Sequence, residues 1–360
     1  MFLTQVTGYT ISAILINKVH MRFGQLGIAI IGPSFKIFTY VVTCLHPPFP
    51  VIPIVFALAG FGNGLMDGAW NAWVGGLAHP NELLGLLHGA YGLGATVAPL
   101  ISTSMVTTGG LKWYTFYYIV VGGAVSELIF ATFAFRTATG AKFCLLHPAQ
   151  LNAKSRTHEA LSYKLTWLLS IFLLIYVGTE VSIGGWIVTF MLEIRHGPAF
   201  SSGMVATGFW LGLTLGRVIL GFITGRIGEK LAITIYLILA VALELVFWLV
   251  KSFVTSAVMI AFVGFCLGPV FPAVIVVVTK ALPEHLHVSV IGFVAAVGMA
   301  GAALIPFATG AIGQATGVGV LGPIALGLIA GILVLWVCLP GGFKDKLDRK
   351  VERTPGQQEV

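Results

Sequence analysis

Charge is what this chain of 360 residues has least of. Asp, Glu, Lys and Arg make up only 9% of it, where soluble domains carry about 25%. With 57% of its residues hydrophobic, a water-soluble fold would have to leave much apolar surface in water, which argues against one. Cysteine is scarce too. Cys44, Cys144, Cys266 and Cys338 stand alone, with no CxxC pair, so neither a disulfide framework nor a zinc site is expected. His285-x-His287 has no further ligands beside it. The glycines of Gly60-x-Gly62-x-Gly64 have no strand before them and no Lys-Ser/Thr after them, which removes the phosphate-loop reading. No nucleophile–base pair and no cluster of His or acidic residues is visible, so the chain reads as neither an enzyme nor a cofactor binder. The first residues do not form a signal peptide, because Thr4, Gln5, Thr7 and Thr10 interrupt any apolar core and no basic region precedes it.

What is there instead is apolar sequence in long runs. A helix crossing a bilayer needs about 20 mainly apolar residues, and eleven such spans can be drawn: 1–18, 25–44, 51–75, 84–107, 114–135, 165–191, 203–224, 231–250, 254–280, 288–312 and 317–340. The reading is an all-α integral membrane protein. Glycine, at 45 residues, suits this, since Gly and Pro are commoner in membrane helices than in soluble ones.

The basic residues fall unevenly among the loops. One alternating set holds Lys18, Arg22, Arg136, Lys142, Lys154, Arg156, Lys164, Arg226, Lys230 and Lys280, and the tail adds Lys344, Lys346, Arg349, Lys350 and Arg353. The other set holds only Lys112, Arg195 and Lys251. The positive-inside rule puts the first set, the 136–164 loop and the C-terminus in the cytoplasm. The net charge of +7 then reflects orientation and the anionic inner leaflet, with no nucleic-acid partner. Membrane lipid is the expected surrounding, in the plasma membrane or an endomembrane, and a monomer the expected state.

The chain also repeats itself weakly. Lys18 in the turn 17–24 and Arg226 in the turn 225–230 are 208 positions apart, as are Gly60 and Gly268. The stretch Gly94-Ala95-Thr96-Val97-Ala98-Pro99 resembles Gly301-Ala302-Ala303-Leu304-Ile305-Pro306 at an offset of 207. A parallel repeat of this kind marks two bundles related by an axis along the membrane normal. The expected division is 1–135 as a five-helix bundle, 136–164 as a linker, 165–340 as a six-helix bundle and 341–360 as a tail. The repeat partner of span 165–191 would lie before residue 1. A truncated reading frame and real loss of that helix are both open readings.

The two basic turns resemble the major facilitator signature, with Asn17 and Gly225 where the signature has an acid. Three further stretches are similar to the fucose permease-like branch, which includes sodium-dependent glucose transporter-like proteins. They are Gly60-Phe61-Gly62-Asn63-Gly64-Leu65-Met66-Asp67-Gly68-Ala69-Trp70-Asn71, then His88-Gly89-Ala90-Tyr91-Gly92-Leu93-Gly94-Ala95, then Tyr176-Val177-Gly178-Thr179-Glu180-Val181-Ser182-Ile183-Gly184-Gly185-Trp186. The resemblance implies a major facilitator fold of twelve helices less the first. It also implies a carrier of sugars or similar small polar solutes coupled to H+ or Na+, with Asp67 matching the family's acid on its fourth helix. A non-transporting relative is the alternative.

Several residues stand out on chemistry alone. Asn63, Asp67 and Asn71 share one helix face, and an acid inside the membrane is functional by default. Burial disfavours its charged form, so it can exchange a proton as a wet cavity changes sides; the bland reading is a structural acid paired with Lys36. Tyr176, Glu180 and Gly184 share another face, with Trp186 placed to stack on a sugar ring or to anchor the helix. Lys36 lies mid-span, for Asp67, an anionic solute or snorkelling. His88 and Tyr91 share a face of span 84–107, with His88 read as more structural than relay. Lys18, Arg22 and Arg226 belong to the gating turns. Arg217 lies nearer a span end and is read as structural, serving conformation. Pro269 and Pro272 break span 254–280, because proline has no N–H to give; broken helices at a repeat interface mark sites or gates.

Overall fold

A computed structural model describes residues 2–107, 109–146 and 153–339, and the account below concerns these. The expected tail 341–360 lies outside them. Lipid offers the backbone no hydrogen bonds, so apolar spans must satisfy their own and become helices. Ten segments are long and apolar enough to cross a membrane. The first helix, α1 (Phe2–Cys44), has 43 residues; at 1.5 Å per residue it would run about 65 Å, roughly twice the hydrocarbon core. It is two crossings. Gly24 divides it with φ 69° and ψ −167°, a backbone setting that glycine adopts at little cost, and eleven crossings result.

The remaining helices follow in order. They are α2 (Val51–Gly75), α3 (Pro80–Thr107), α4 (Phe116–Ala134), α5 (Gly140–Leu146), α6 (Ala153–Ser162), α7 (Lys164–Glu193), α8 (Ala199–Ile227), α9 (Glu229–Leu249), α10 (Phe253–Leu267), α11 (Val270–Ala281), α12 (His287–Thr316) and α13 (Leu321–Cys338). The turn expected over 17–24 is smaller than the sequence suggests. The helix runs through Lys18 and Arg22, and Gly24 alone makes the bend, which docks on Ala138 and Thr139. The break expected in span 254–280 falls at Gly268–Pro269, between α10 and α11. Pro272 sits in the first turn of α11, where a missing N–H costs nothing. The linker is partly helical: α6 packs on α1, α7 and α12.

Helices α7 to α13 form one bundle around a continuous core, and α1, α2 and α4 form the centre of the other. The bundles meet along two seams, the first arm of α1 with α12 and α3 with α8. Glycines permit the close approach. A Cβ on Gly85 of α3 would stand 2.5 Å from the Arg217 carbonyl of α8, and one on Gly68 of α2 would stand 3.0 Å from Gly292 of α12.

Candidate functional site

The site lies where the seams meet the middle of the bundles. Asp67 is half-buried on α2, and both its carboxylate oxygens accept hydrogen bonds. Tyr9 of α1 donates its hydroxyl to Oδ2, and the Asn71 amide, one turn on, donates to Oδ1. The same amide accepts through its oxygen from His88 Nε2 of α3 at 2.8 Å, so His88 carries its proton on that nitrogen. The His88 ring rests against Phe271 of α11, with centroids 4.9 Å apart. A carboxylate, an amide and an imidazole thus form one polar line on the first bundle, and Asn63 continues the α2 face one turn away, half-buried.

Across the seam lies a second acid. Glu180 of α7 accepts from Arg217 Nη2 of α8 at 3.0 Å, both side chains being at most 7% exposed. Among the described residues Arg217 Nε and Nη1 are buried with no acceptor in good geometry, and the Tyr176 hydroxyl of α7 lies beside both members of the pair. The guanidinium lies over the ring of Tyr91 of α3, 5.8 Å from its centroid, a favourable placement for a cation. Tyr91 is also within electrostatic range of Glu180 and Asp67.

Other residues singled out in the sequence are placed elsewhere. Lys36 pairs with Glu127 of α4; the sequence-level pairing with Asp67 is replaced, because Tyr9 and Asn71 occupy that carboxylate. Tyr176 is fully buried and donates to the Leu267 carbonyl at 3.0 Å, which the α10–α11 break leaves without its helical partner. Trp186 donates to the Pro306 carbonyl of α12 at 3.0 Å, and its ring fills the space before Gly310. Arg217 sits in the interior rather than near a helix end. Lys18, Arg22 and Arg226 are exposed.

At the end of the molecule carrying those basic residues, a different group spans the bundles. Asn81 of α3 donates to Glu229 of α9 at 2.6 Å, and Lys280 of α11 donates to the same carboxylate at 3.0 and 3.3 Å. A cavity of about 1070 Å³ opens beside it, lined by His20, Gln25, Lys142 and Thr139 among others, and it includes neither Asp67 nor Arg217.

Sequence reasoning missed Tyr9 and the Glu180–Arg217 pair. The repeat carried a signal for both, since the offset of 208 sets Tyr9 against Arg217.

Comparison with known proteins agrees with this architecture. Bypass of stop codon protein 6 of Saccharomyces cerevisiae is 29% identical over 374 residues, covering 95% of this chain and 75% of that protein. The glucose/mannose transporter GlcP of Bacillus subtilis is 22% identical over 315 residues, covering 85% and 75%. Among solved structures, the E. coli fucose:proton symporter FucP superposes with a TM-score of 0.77 at 13% identity, over 94% of this chain and 90% of that one. The human organic anion transporter MFSD10 gives 0.75 at 16% identity, over 93% and 82%. The profile described as Major Facilitator Superfamily matches residues 1–306 and 168–358. This chain, a bundle of membrane-crossing helices in two related halves, belongs to the Major Facilitator Superfamily of transporters.

Proposed function

We propose that this transporter moves a small polar solute, a sugar, by alternating access, with the proton as coupling ion and Asp67 as the group that carries it. The observation behind this reading is the setting of Asp67: a half-buried carboxylate inside the membrane, facing the seam, with both oxygens held by donors and with no cation among the described residues bonded to it. An acid so placed is costly to keep ionised without water or a partner. A change of access from one side to the other changes that cost, and the proton moves with it. The sugar is supported by two relatives, a glucose/mannose transporter and a fucose:proton symporter. Arg217, Glu180, Asn63 and Asn71 supply the mixed donors and acceptors that hydroxyl groups need. The basic end faces the cytoplasm and the C-terminus lies there, and the protein works as a monomer.

The test is uptake of labelled d-glucose and l-fucose into sealed vesicles, with and without an inward proton gradient. The parent chain should accumulate at least one sugar only with the gradient. Asp67→Asn should fall to the level reached without it while still exchanging labelled for unlabelled sugar. Gradient-driven uptake unchanged in Asp67→Asn would remove Asp67 from coupling. Gradient dependence on sodium alone would replace the proton. Absence of any uptake or exchange in the parent would favour the non-transporting relative.

A further inference from the structure

Two side chains on the seam helices stand at matched places in the repeat. The 208-residue offset carries Tyr9 of α1 onto Arg217 of α8, and carries Tyr91 of α3 to Met299 of α12, or to Gly298 at the 207 offset. The contacts obey the same correspondence. Tyr9 holds the acid of its own bundle, Asp67, by a hydrogen bond, and its ring lies in an apolar cluster with Ala295 and Ala296 of α12, edged by Met299. Arg217 holds the acid of its own bundle, Glu180, and its guanidinium lies over Tyr91 of α3. Asp67 and Glu180 are thus each tied to one seam side chain, and each of those side chains bears on the opposite bundle.

We propose that Tyr9 and Arg217 are paired couplers, each relaying the charge of one acid, Asp67 or Glu180, to the bundle across the seam. The proposal rests on the reading of Asp67 as the proton carrier. Both are positioning residues, acting through the acids they hold. The hydrogen-bond arithmetic explains how. An ionised carboxylate only accepts, and Asp67 accepts from Tyr9 on one oxygen and Asn71 on the other. A proton arriving from the aqueous cavity forms an O–H bond at Oδ2, which makes that oxygen a donor, so the Tyr9 hydroxyl must turn its own O–H away and can only accept there. The Tyr9 bond to the carboxylate is then lost, or survives as a neutral bond about half as strong, and the tie that holds Tyr9 against α12 loosens. On the other side, two buried Arg217 nitrogens, Nε and Nη1, have no acceptor in good geometry among the described residues, and of its neighbours Glu180, Tyr176 and Tyr91 only Glu180 carries a charge to hold it. A proton on Glu180, or a solute hydroxyl competing for its oxygen, weakens the guanidinium's tie to α7, where Tyr176 remains beside it, and shifts its contact with α3.

The groups that face Asp67 are few. They are Tyr9 from α1 and His88 and Tyr91 from α3, with Arg217 and Glu180 beyond Tyr91. Lys36 of α1 is taken by Glu127. The ionisable residues of α11 and α12, Lys280 and His287, and Glu82 of α3 border the cavity at the basic end.

The experiment needs no solute. Spin labels on cysteines introduced at Phe49 and Phe200, exposed residues at the end opposite the basic one, report the separation of the bundles. The native cysteines are replaced and the full chain is held in lipid nanodiscs. Between mildly alkaline and mildly acid pH the parent should change the ratio of its two label separations by about tenfold, the worth of one charge-assisted bond. Tyr9→Phe should abolish that change while keeping the fold. Glu180→Gln should shift the ratio at fixed pH, and adding Arg217→Gln should cancel the shift; the double variant leaves no unpaired charge buried, so folding is not the obstacle. A parent-like pH response in Tyr9→Phe, with Asp67→Asn abolishing it, overturns the Tyr9 coupler and leaves the Asp67 reading standing. A response that survives Asp67→Asn overturns both. A Glu180→Gln shift that persists after Arg217→Gln, or is absent from the start, overturns the Arg217 half.

Discussion

In the second bundle, buried side chains from Leu169 of α7 to Trp336 of α13 join into one cluster. In the first they separate into small groups: Ile16 with Ile28, Leu65, Met66 and Ala69, and elsewhere Ile52 with Val55 and Phe56. Exposure alone says little here, because an apolar face can meet lipid. The repeat-matched glycines say more. Gly301 of α12 lies so close to α7 that a Cβ would stand 2.0 Å from the Leu174 carbonyl, whereas Gly94, its equivalent on α3, has nothing within 4 Å. Small residues in membrane helices let backbones meet, and Gly94 has no backbone to meet because α7 has no repeat partner among the described residues. Among the described residues α3 packs mainly along α8 of the other bundle.

The same contrast can be broken by substitution. The largest effect is expected where charge is buried on both sides of a bond. Arg217→Gln alone strands Glu180 and should cost about 3–5 kcal/mol. The first bundle's own ion pair is less enclosed: Lys36→Gln leaves a Glu127 that is 28% exposed, mid-span in α4, and should cost less, on the order of 1–3 kcal/mol. Thermal unfolding in detergent separates the two, and equal losses would show the bundles to be alike after all.

Next in size is the glycine pair. Gly301→Val must push α12 off α7 and should cost on the order of 1–3 kcal/mol or more, while Gly94→Val should stay within about 0.5 kcal/mol. A Gly94→Val protein that is lost as readily as Gly301→Val would mean that something does pack against α3. The smallest effect sharpens one residue's role. Trp186→Phe removes the indole bond to Pro306 and should cost about 1 kcal/mol without changing sugar affinity in an exchange assay; a tenfold loss of affinity would return Trp186 to the solute site.

Much of the site was visible in the sequence because helical spacing is local. Asp67 and Asn71 share a face at any tertiary arrangement, and so do His88 and Tyr91. Partners were less legible, since a bond between α2 and α1 depends on how helices rotate and cross. Lys36 seemed matched to Asp67 as two intramembrane charges, but Glu127 of α4 lies closer to it. The sequence offers Trp186 to a sugar ring or as a helix anchor and sets Tyr176 on the face of Glu180; in the structure both donate to carbonyls, at a helix break and at Pro306, that the sequence shows only as prolines.

Composition and hydrophobic run length alone determined that this protein is a set of helices crossing lipid, because a bilayer accepts no other open chain of this kind, and the repeat alone determined that those helices form two halves. Only the tertiary structure decided which side chain answers which acid. Hydrogen bonds and ion pairs reach about 3 Å, and residues as far apart in sequence as Tyr9 and Asp67 come within that reach only after the helices have packed.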